Sequence, residues 1–338
     1  MVFLMLGILL FLLVAMDITK TTFSTRGGGM LTSGLSRLIW HTFFLLARGR
    51  GQSRLLEYAG QTAVLSVLLS WIACLWLSLF LMLLSDPGSV VDGTTQVAAN
   101  LWETLYYAGF TLSTLGVGDY AASSDGWRVL TSVAAFCGLT FITAAITYIV
   151  PVLSAVSLQN QLSLFISSMG RTPQDILINS WNGRDFSACF ENATDLRQML
   201  VEHTLNHHAY PVIHCYHNRH AGKNIIPAFA TFDEAMRLLD YVSTQVPQDG
   251  LKRRMLRSAL DQYLVLQRTH YLAKTDADMH LPPMQLAALQ AAGIPLKPAD
   301  QQPDPRKEAE RRVVLSKLLR AAGWHWTDIY GNATERAG

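Results

Sequence analysis

The densest chemistry in the chain lies in Thr114-Leu115-Gly116-Val117-Gly118-Asp119. Two glycines, two residues apart, allow backbone angles that residues with a Cβ resist. Such angles turn successive carbonyls the same way. Aligned carbonyls, with the Thr114 hydroxyl beside them, are oxygen ligands of the kind a dehydrated cation takes in place of water. A Gly-x-Gly-Asp run is also a common turn, so its surroundings decide its meaning. A second cluster is His203, His207, His208, His214, His217 and His220, with Cys215 among them. His203 and His207 stand four apart, which can put two imidazoles on one helix face for zinc. Histidine also titrates near neutrality, which suits a pH sensor. The plainer reading is packed or solvated histidines around the Tyr210-Pro211 break. Cys74, Cys137, Cys189 and Cys215 show no metal-type pair spacing and read as reduced packing residues.

The elements that must position these residues follow from the apolar runs. The chain has 338 residues, is half hydrophobic and only 15% charged, with mean hydropathy +0.21. Residues 1–152 hold seven Lys/Arg and seven Asp/Glu; residues 153–338 hold the other 20 and 18. This split predicts a membrane half joined to a soluble half. It excludes disorder and a secreted disulfide scaffold. A net charge of +2 gives no support for a nucleic-acid binder. Residues 61–84 and 129–150 carry no charge, and each is long enough as a helix to span ~30 Å of hydrocarbon. Residues 2–16 form a shorter apolar run. It lacks a preceding Lys or Arg and a clear small-x-small cleavage site, so it reads as a retained helix rather than a signal peptide.

Charge in the loops sets the expected orientation. Lys20, Arg26, Arg37, Arg48, Arg50 and Arg54 stand against the single acid Glu57 in residues 18–57, whereas Asp86, Asp92, Glu103, Asp119 and Asp125 stand alone in residues 85–127. The positive-inside rule places the first segment in the cytoplasm, the second outside, and everything after Pro151 inside. Residues 35–46 read as a helix lying in the membrane interface. Between the two long spans, residues 98–112 form a short, mostly apolar helix that leads directly into Thr114. A helix that begins and ends on one side of the membrane is re-entrant, and irregular backbone at that depth must be buried in protein or line a wet cavity.

The stretch Thr114 to Asp119, with Thr111-Leu112-Ser113 before it, resembles the selectivity filter of the pore-loop potassium-channel family, whose common form is Thr-Val-Gly-Tyr-Gly-Asp. The resemblance covers roughly residues 58–152. It implies that the carbonyls of Thr114, Leu115, Gly116, Val117 and Gly118 bind permeant potassium ions, in a ring of four loops. With one loop per chain, a homotetramer follows. It also implies that Tyr106 and Tyr107 form an aromatic cuff that supports the filter together with Asp119. Gly138 falls where the family's inner helix bends. Ile142, Ile146 and Val150 follow at spacings of four, so Ile146 and Val150 are expected to form an apolar gate below a hinge at Gly138. Two positions depart from the family. Val117 replaces the usual Tyr and has no hydroxyl for the cuff, which bears on potassium-over-sodium selectivity. Phe110 stands where some members carry an acid behind the filter, so that support for Asp119 is absent.

The soluble half reads as α-helical. Thr172-Pro173-Gln174-Asp175 is a helix start, and further helical patterns cover 186–206, 228–246, 251–273 and 306–322. The Gly-x-Gly-x-x-Gly nucleotide-binding fingerprint is absent. Asn192-Ala193-Thr194 and Asn332-Ala333-Thr334 match the glycosylation pattern, but on the expected cytoplasmic side these are chance matches. The expectation is an all-α membrane protein: a two-transmembrane, re-entrant pore-loop channel with an additional N-terminal transmembrane helix and an α-helical cytoplasmic domain. Its parts are 1–57 (first helix and basic segment), 58–152 (pore domain: outer helix 61–84, pore helix about 98–112, filter 114–118, inner helix 128–151) and 153–338 (cytoplasmic domain). It would sit in the bilayer of a cell membrane, a bacterial inner membrane by this reading. It would pass potassium ions without a cofactor, without nucleic acid and without catalysing a reaction. The rivals are a poorly selective monovalent cation channel and a membrane-anchored receptor or metalloprotein whose soluble half is the active part.

Overall fold

The structure, a computed structural model, describes residues 1–23, 27–270 and 281–331. The chain divides into two compact units. The first comprises Met1–Trp40, Gln61–Leu153 and Ala209–Val212; the second comprises His41–Gly60, Ser154–His208 and Ile213–Gly338.

The first unit is built from the apolar runs. Helix α1 (Val2–Phe23) leads to α2 (Met30–Leu46), whose last turns, like the 3-10 turn Arg54–Tyr58 that leads to α3 (Ala59–Leu84), are counted with the second unit. A short strand β1 (Val90–Asp92), helix α4 (Leu101–Leu112) and strand β2 (Tyr120–Ala122) precede the long helix α5 (Asp125–Met169). Among the described residues, three helical stretches are long and apolar enough to cross a membrane: Val2–Phe23, Arg54–Leu84 and Asp125–Met169. In α4 the Asn100 side chain accepts from the Trp102 and Glu103 amides, and the Glu103 carboxylate accepts from the Asn100 amide at 2.7 Å. This reciprocal cap satisfies the free donors at the helix start. Strands β1 and β2 pair antiparallel, with Val90 opposite Ala122, Val91 opposite Ala121 and Asp92 opposite Tyr120. The hairpin therefore brackets α4 and the Thr114–Gly118 segment.

The sequence expects the inner helix to end at 151, but α5 continues to Met169 with Pro151 inside it. A proline removes one i→i−4 bond and not the whole ladder. Beyond it, Ala155, Gln159, Leu162, Ser163 and Ile166 are buried. They recur at helical spacing, so burial of one face sustains the helix past the lost bond.

The second unit continues with α6 (Pro173–Ser180), α7 (Ser187–Glu191), α8 (Ala193–Ala209), α9 (Ile225–Leu238), α10 (Gly250–His270), α11 (Ala287–Ala291), α12 (Pro305–Ala321) and α13 (Trp326–Tyr330). Thr172 caps α6 in a reciprocal box with Asp175, as the sequence predicts. The pattern over 186–206 is two helices, broken at Asn192. The pattern over 228–246 starts earlier and stops at Leu238. Residues 271–273 of a third pattern, Arg26 and the Asn332–Thr334 match lie outside the described residues. Helix α9 is the centre of this unit: it is buried on nearly every side and packed by α6, α10, α12 and α13. Its charges are paired, as buried charges must be. Asp233 meets Arg311; Glu234 meets Arg312 at 3.1 Å, Arg237 at 3.3 Å and the Tyr330 hydroxyl. The Glu234 carboxyl is nonetheless pushed up by burial, against the pull of Arg312 and Arg237. Residues 41–60 belong here and not with α1. The Gly51 amide donates to the Gly323 carbonyl at 2.8 Å, and the His217 ring lies 2.6 Å from the Gly51 carbonyl.

Candidate ion-conduction site

Helix α4 ends in a reversal that sets up the candidate filter. The Leu115 amide donates to the Phe110 carbonyl at 2.9 Å and the Thr114 amide to the Thr111 carbonyl at 3.1 Å. These two bonds form a Schellman cap, in which the residue after the cap is left-handed and usually glycine. Here that residue is Thr114, with φ +59°. A β-branched residue in this region is uncommon and strained. Gly116 follows at φ +58° and Gly118 at +90°. Left-handed backbone thus recurs at every second residue from 114 to 118. A Cβ at Gly116 or Gly118 would meet nothing within 4 Å. The demand for glycine there comes from the backbone angles and not from space.

Four contacts hold this segment and its helix. The Gly93 amide, just beyond β1, donates to the Asp119 carbonyl at 2.8 Å, and a Cβ at Gly93 would lie 2.8 Å from the Gly118 carbonyl oxygen. The Trp76 indole donates to the Leu105 carbonyl at 2.8 Å, and its ring covers Gly109. The Tyr107 hydroxyl is 3.1 Å from that of Thr131 on α5; since Thr131 donates to the Trp127 carbonyl, Tyr107 is the donor between them. Gly138 of α5 meets the end of α4, where a Cβ would come within 2.3 Å of the Leu112 carbonyl oxygen. That close approach alone gives a reason for glycine at the position expected to be a hinge. Neither Gly93 nor Trp76 was singled out from sequence, because their roles rest on approaches between distant segments.

The two tyrosines divide their work. Tyr107 is buried and ties α4 to α5. Tyr106 packs edge-on against Phe110 and Tyr120, and its hydroxyl bonds the Asp119 carboxylate. Phe110 offers Asp119 no acid, and the Tyr106 phenol is the partner the carboxylate finds instead. Glu103 in turn receives the Tyr120 hydroxyl. At the outer hairpin, the Thr95 and Thr94 amides hold the Asp92 carboxyl below its ordinary range.

The apolar stripe expected on α5 divides. Ile142 is partly covered and lines a small apolar cavity of about 260 Å³ with Trp76, Leu112 and Gly138. Ile146 and Val150 are 60% and 66% exposed. A spacing of four drifts about 40° per step around a helix of 3.6 residues per turn, which separates the first member from the last. Thr140, Thr143 and Thr147 share the exposed side, and their hydroxyls donate back to the carbonyls four residues earlier at 2.7–2.9 Å.

One carboxylate, for which the sequence carries no local signal, is buried. Asp17 of α1 accepts from the Leu31 and Thr32 amides, the Thr32 hydroxyl at 2.7 Å and the Trp71 indole at 2.9 Å. A single acid thereby caps the start of α2 and joins α1 to α3. In the second unit, His203, His207 and His214 are brought together with Tyr263. Among the described residues, no group of three or more His, Cys, Asp or Glu is placed to hold a metal ion. Burial holds His203 down to about 4 and raises Cys215 to about 12. The buried thiols fit reduced packing residues.

Residues 63–155 match a family model described as "Ion channel". The match takes in most of α3, the hairpin, α4, the candidate filter and α5 as far as Ala155. This part of the chain thus matches an ion-channel domain of the two-transmembrane pore-loop type. Over 323 residues, 95% of this chain and 94% of the relative, the chain is 29% identical to the "Uncharacterized membrane protein YdjJ" of Bacillus subtilis (strain 168). No solved structure matches the chain. The protein is thus a membrane protein carrying an ion-channel domain, with a helical second unit attached.

Proposed function

We propose that four copies of this chain assemble into a potassium-selective channel, in which the carbonyls of Thr114 to Gly118 replace the water shell of the ion. The observation that carries this reading is the left-handed backbone at residues 114, 116 and 118. It stands between the carbonyl end of α4, which bears partial negative charge, and the carboxylate of Asp119. Leu115 and Val117 are 67% and 53% exposed in a single chain. Apolar side chains at a membrane-depth turn call for a covering surface, and neighbouring copies would supply it. The acidic loop 85–127 would face outward and concentrate cations. The second unit would lie in the cytoplasm, with Ile146 and Val150 as an apolar gate and Gly138 as the hinge above it. Val117 favours one further reading, a poorly selective cation channel, because it offers no hydroxyl to hold the filter's width.

Potassium flux from liposomes containing the purified protein tests the reading. The expected result is potassium uptake at least tenfold above sodium uptake, from a species of four subunits in detergent. Equal uptake of both ions would establish the poorly selective channel instead. A stable dimer or trimer as the sole species would remove the pore assignment.

A further inference from the structure

A cleft of about 680 Å³ in the second unit opens beside the last turns of α5. That size lies within the range of small-molecule sites. Ile166 and Ser167 of α5 form one wall. Arg171, Lys223, Asp175 and Asp328 bring charge to it, and Pro227, Ala228 and Ile329 give it an apolar floor. The two acids are already engaged. Asp175 accepts from the Thr172 amide at 3.1 Å, and Asp328 accepts from the His325 amide at 2.8 Å. His220, at the rim, receives the Arg219 guanidinium. The Arg171 and Lys223 side chains are exposed and make no ion pair or hydrogen bond among the described residues. The cleft thus joins two free cations to an apolar floor, which is the complement of an oxyanion carried on an apolar body.

The wall also has a mechanical connection. The Ser167 hydroxyl donates to the Gly222 carbonyl, next to Lys223 in the short helical turn Ala221–Lys223. A ligand that draws Lys223 toward Arg171 pulls on a turn bonded to α5 itself.

We propose that this cleft binds a small organic anion, a phosphate or carboxylate on a compact apolar group, and that its occupancy biases α5. The binding claim stands alone; the bias on ion flow rests on α5 being the inner helix of a channel.

Two probes represent the class: phenyl phosphate and 3-phenylpropionate, each at 5 mM, with inorganic phosphate as the control. The readout is the thermal midpoint of the full-length protein in detergent. At least one probe should raise the midpoint by 2 °C or more, and inorganic phosphate by less than half as much. The Arg171→Gln/Lys223→Gln double variant should keep the parent's unliganded midpoint and lose the shift. Arg171→Lys/Lys223→Arg, which keeps both charges, should retain it, so a folding defect in the first variant is distinguishable. The site is overturned if neither probe shifts the parent, if inorganic phosphate does as well as the probes, or if the glutamine variant still responds. In liposomes, the active probe should change potassium flux at least twofold in the parent and not in the glutamine variant. Binding without a flux change would overturn the bias on α5. A parent that passes no potassium in either state would count against the channel reading and leave the midpoint result to decide the site.

Discussion

Gly116 and Gly138 require glycine for different reasons, and their alanine variants should differ accordingly. At Gly116 the added methyl meets nothing. The cost is the left-handed angle alone, about 1–2 kcal/mol. Gly116→Ala should therefore abolish potassium flux while leaving the thermal midpoint within a few degrees of the parent. At Gly138 the methyl enters the Leu112 carbonyl, an overpacking that typically costs about 1–3 kcal/mol. Gly138→Ala should lower both the flux and the midpoint. His203 carries a separate expectation. Its folded pKa of about 4 lies below the ordinary 6.5 because burial disfavours the charged ring. The unfolded chain then binds the proton more readily, so stability is full above pH 6.5 and is lost as the pH falls toward 4. The loss from this one ring is roughly 3 kcal/mol by pH 4. Urea unfolding of the parent and of His203→Phe across that range should show a shallower decline in the variant.

Elements are held here by a few polar groups at apolar interfaces. Asp17 is the clearest: its carboxylate serves four donors from α2 and α3. Asp17→Asn keeps one oxygen but turns an amide donor toward donors, leaving buried groups unsatisfied. The expected effect is a loss of about 2–4 kcal/mol, read as a midpoint shift in detergent, with α1 more open to proteolysis. The same network ties α1 to α2 and α3 within the first unit. Helix α5 follows the same logic in reverse. Pro151 was read as its end, but the buried stripe from Ala155 to Ile166 outweighs one missing bond.

At the scale of the whole molecule, the predictions concern assembly, orientation and gating. Cysteines at exposed Thr94 and Gln301 should differ in labelling by an impermeant reagent on intact cells: Thr94→Cys labelled above the parent's background, Gln301→Cys not. The reverse pattern would overturn the orientation. Ile146→Asn and Val150→Asn should hydrate an apolar constriction and raise basal potassium flux severalfold. Parent-like flux in both, with tetramers intact, would move the gate elsewhere. The spans, the short helix before Thr114 and the special pair Gly116 and Gly118 were legible from sequence, because length without charge and the absence of a Cβ are local properties. The Thr172 cap was legible for the same reason. What the sequence could not give were approaches between segments far apart in the chain: Gly93 on the Gly118 carbonyl, Gly138 on Leu112, Tyr106 as the partner of Asp119, and Asp17 between α2 and Trp71. Thr114 in the left-handed region belongs with them, since no propensity favours it and only the cap of α4 holds it there. Local chemistry set the elements and the glycines; tertiary packing decided which carbonyls, phenols and carboxylates met, because those energies exist only once the segments are in contact.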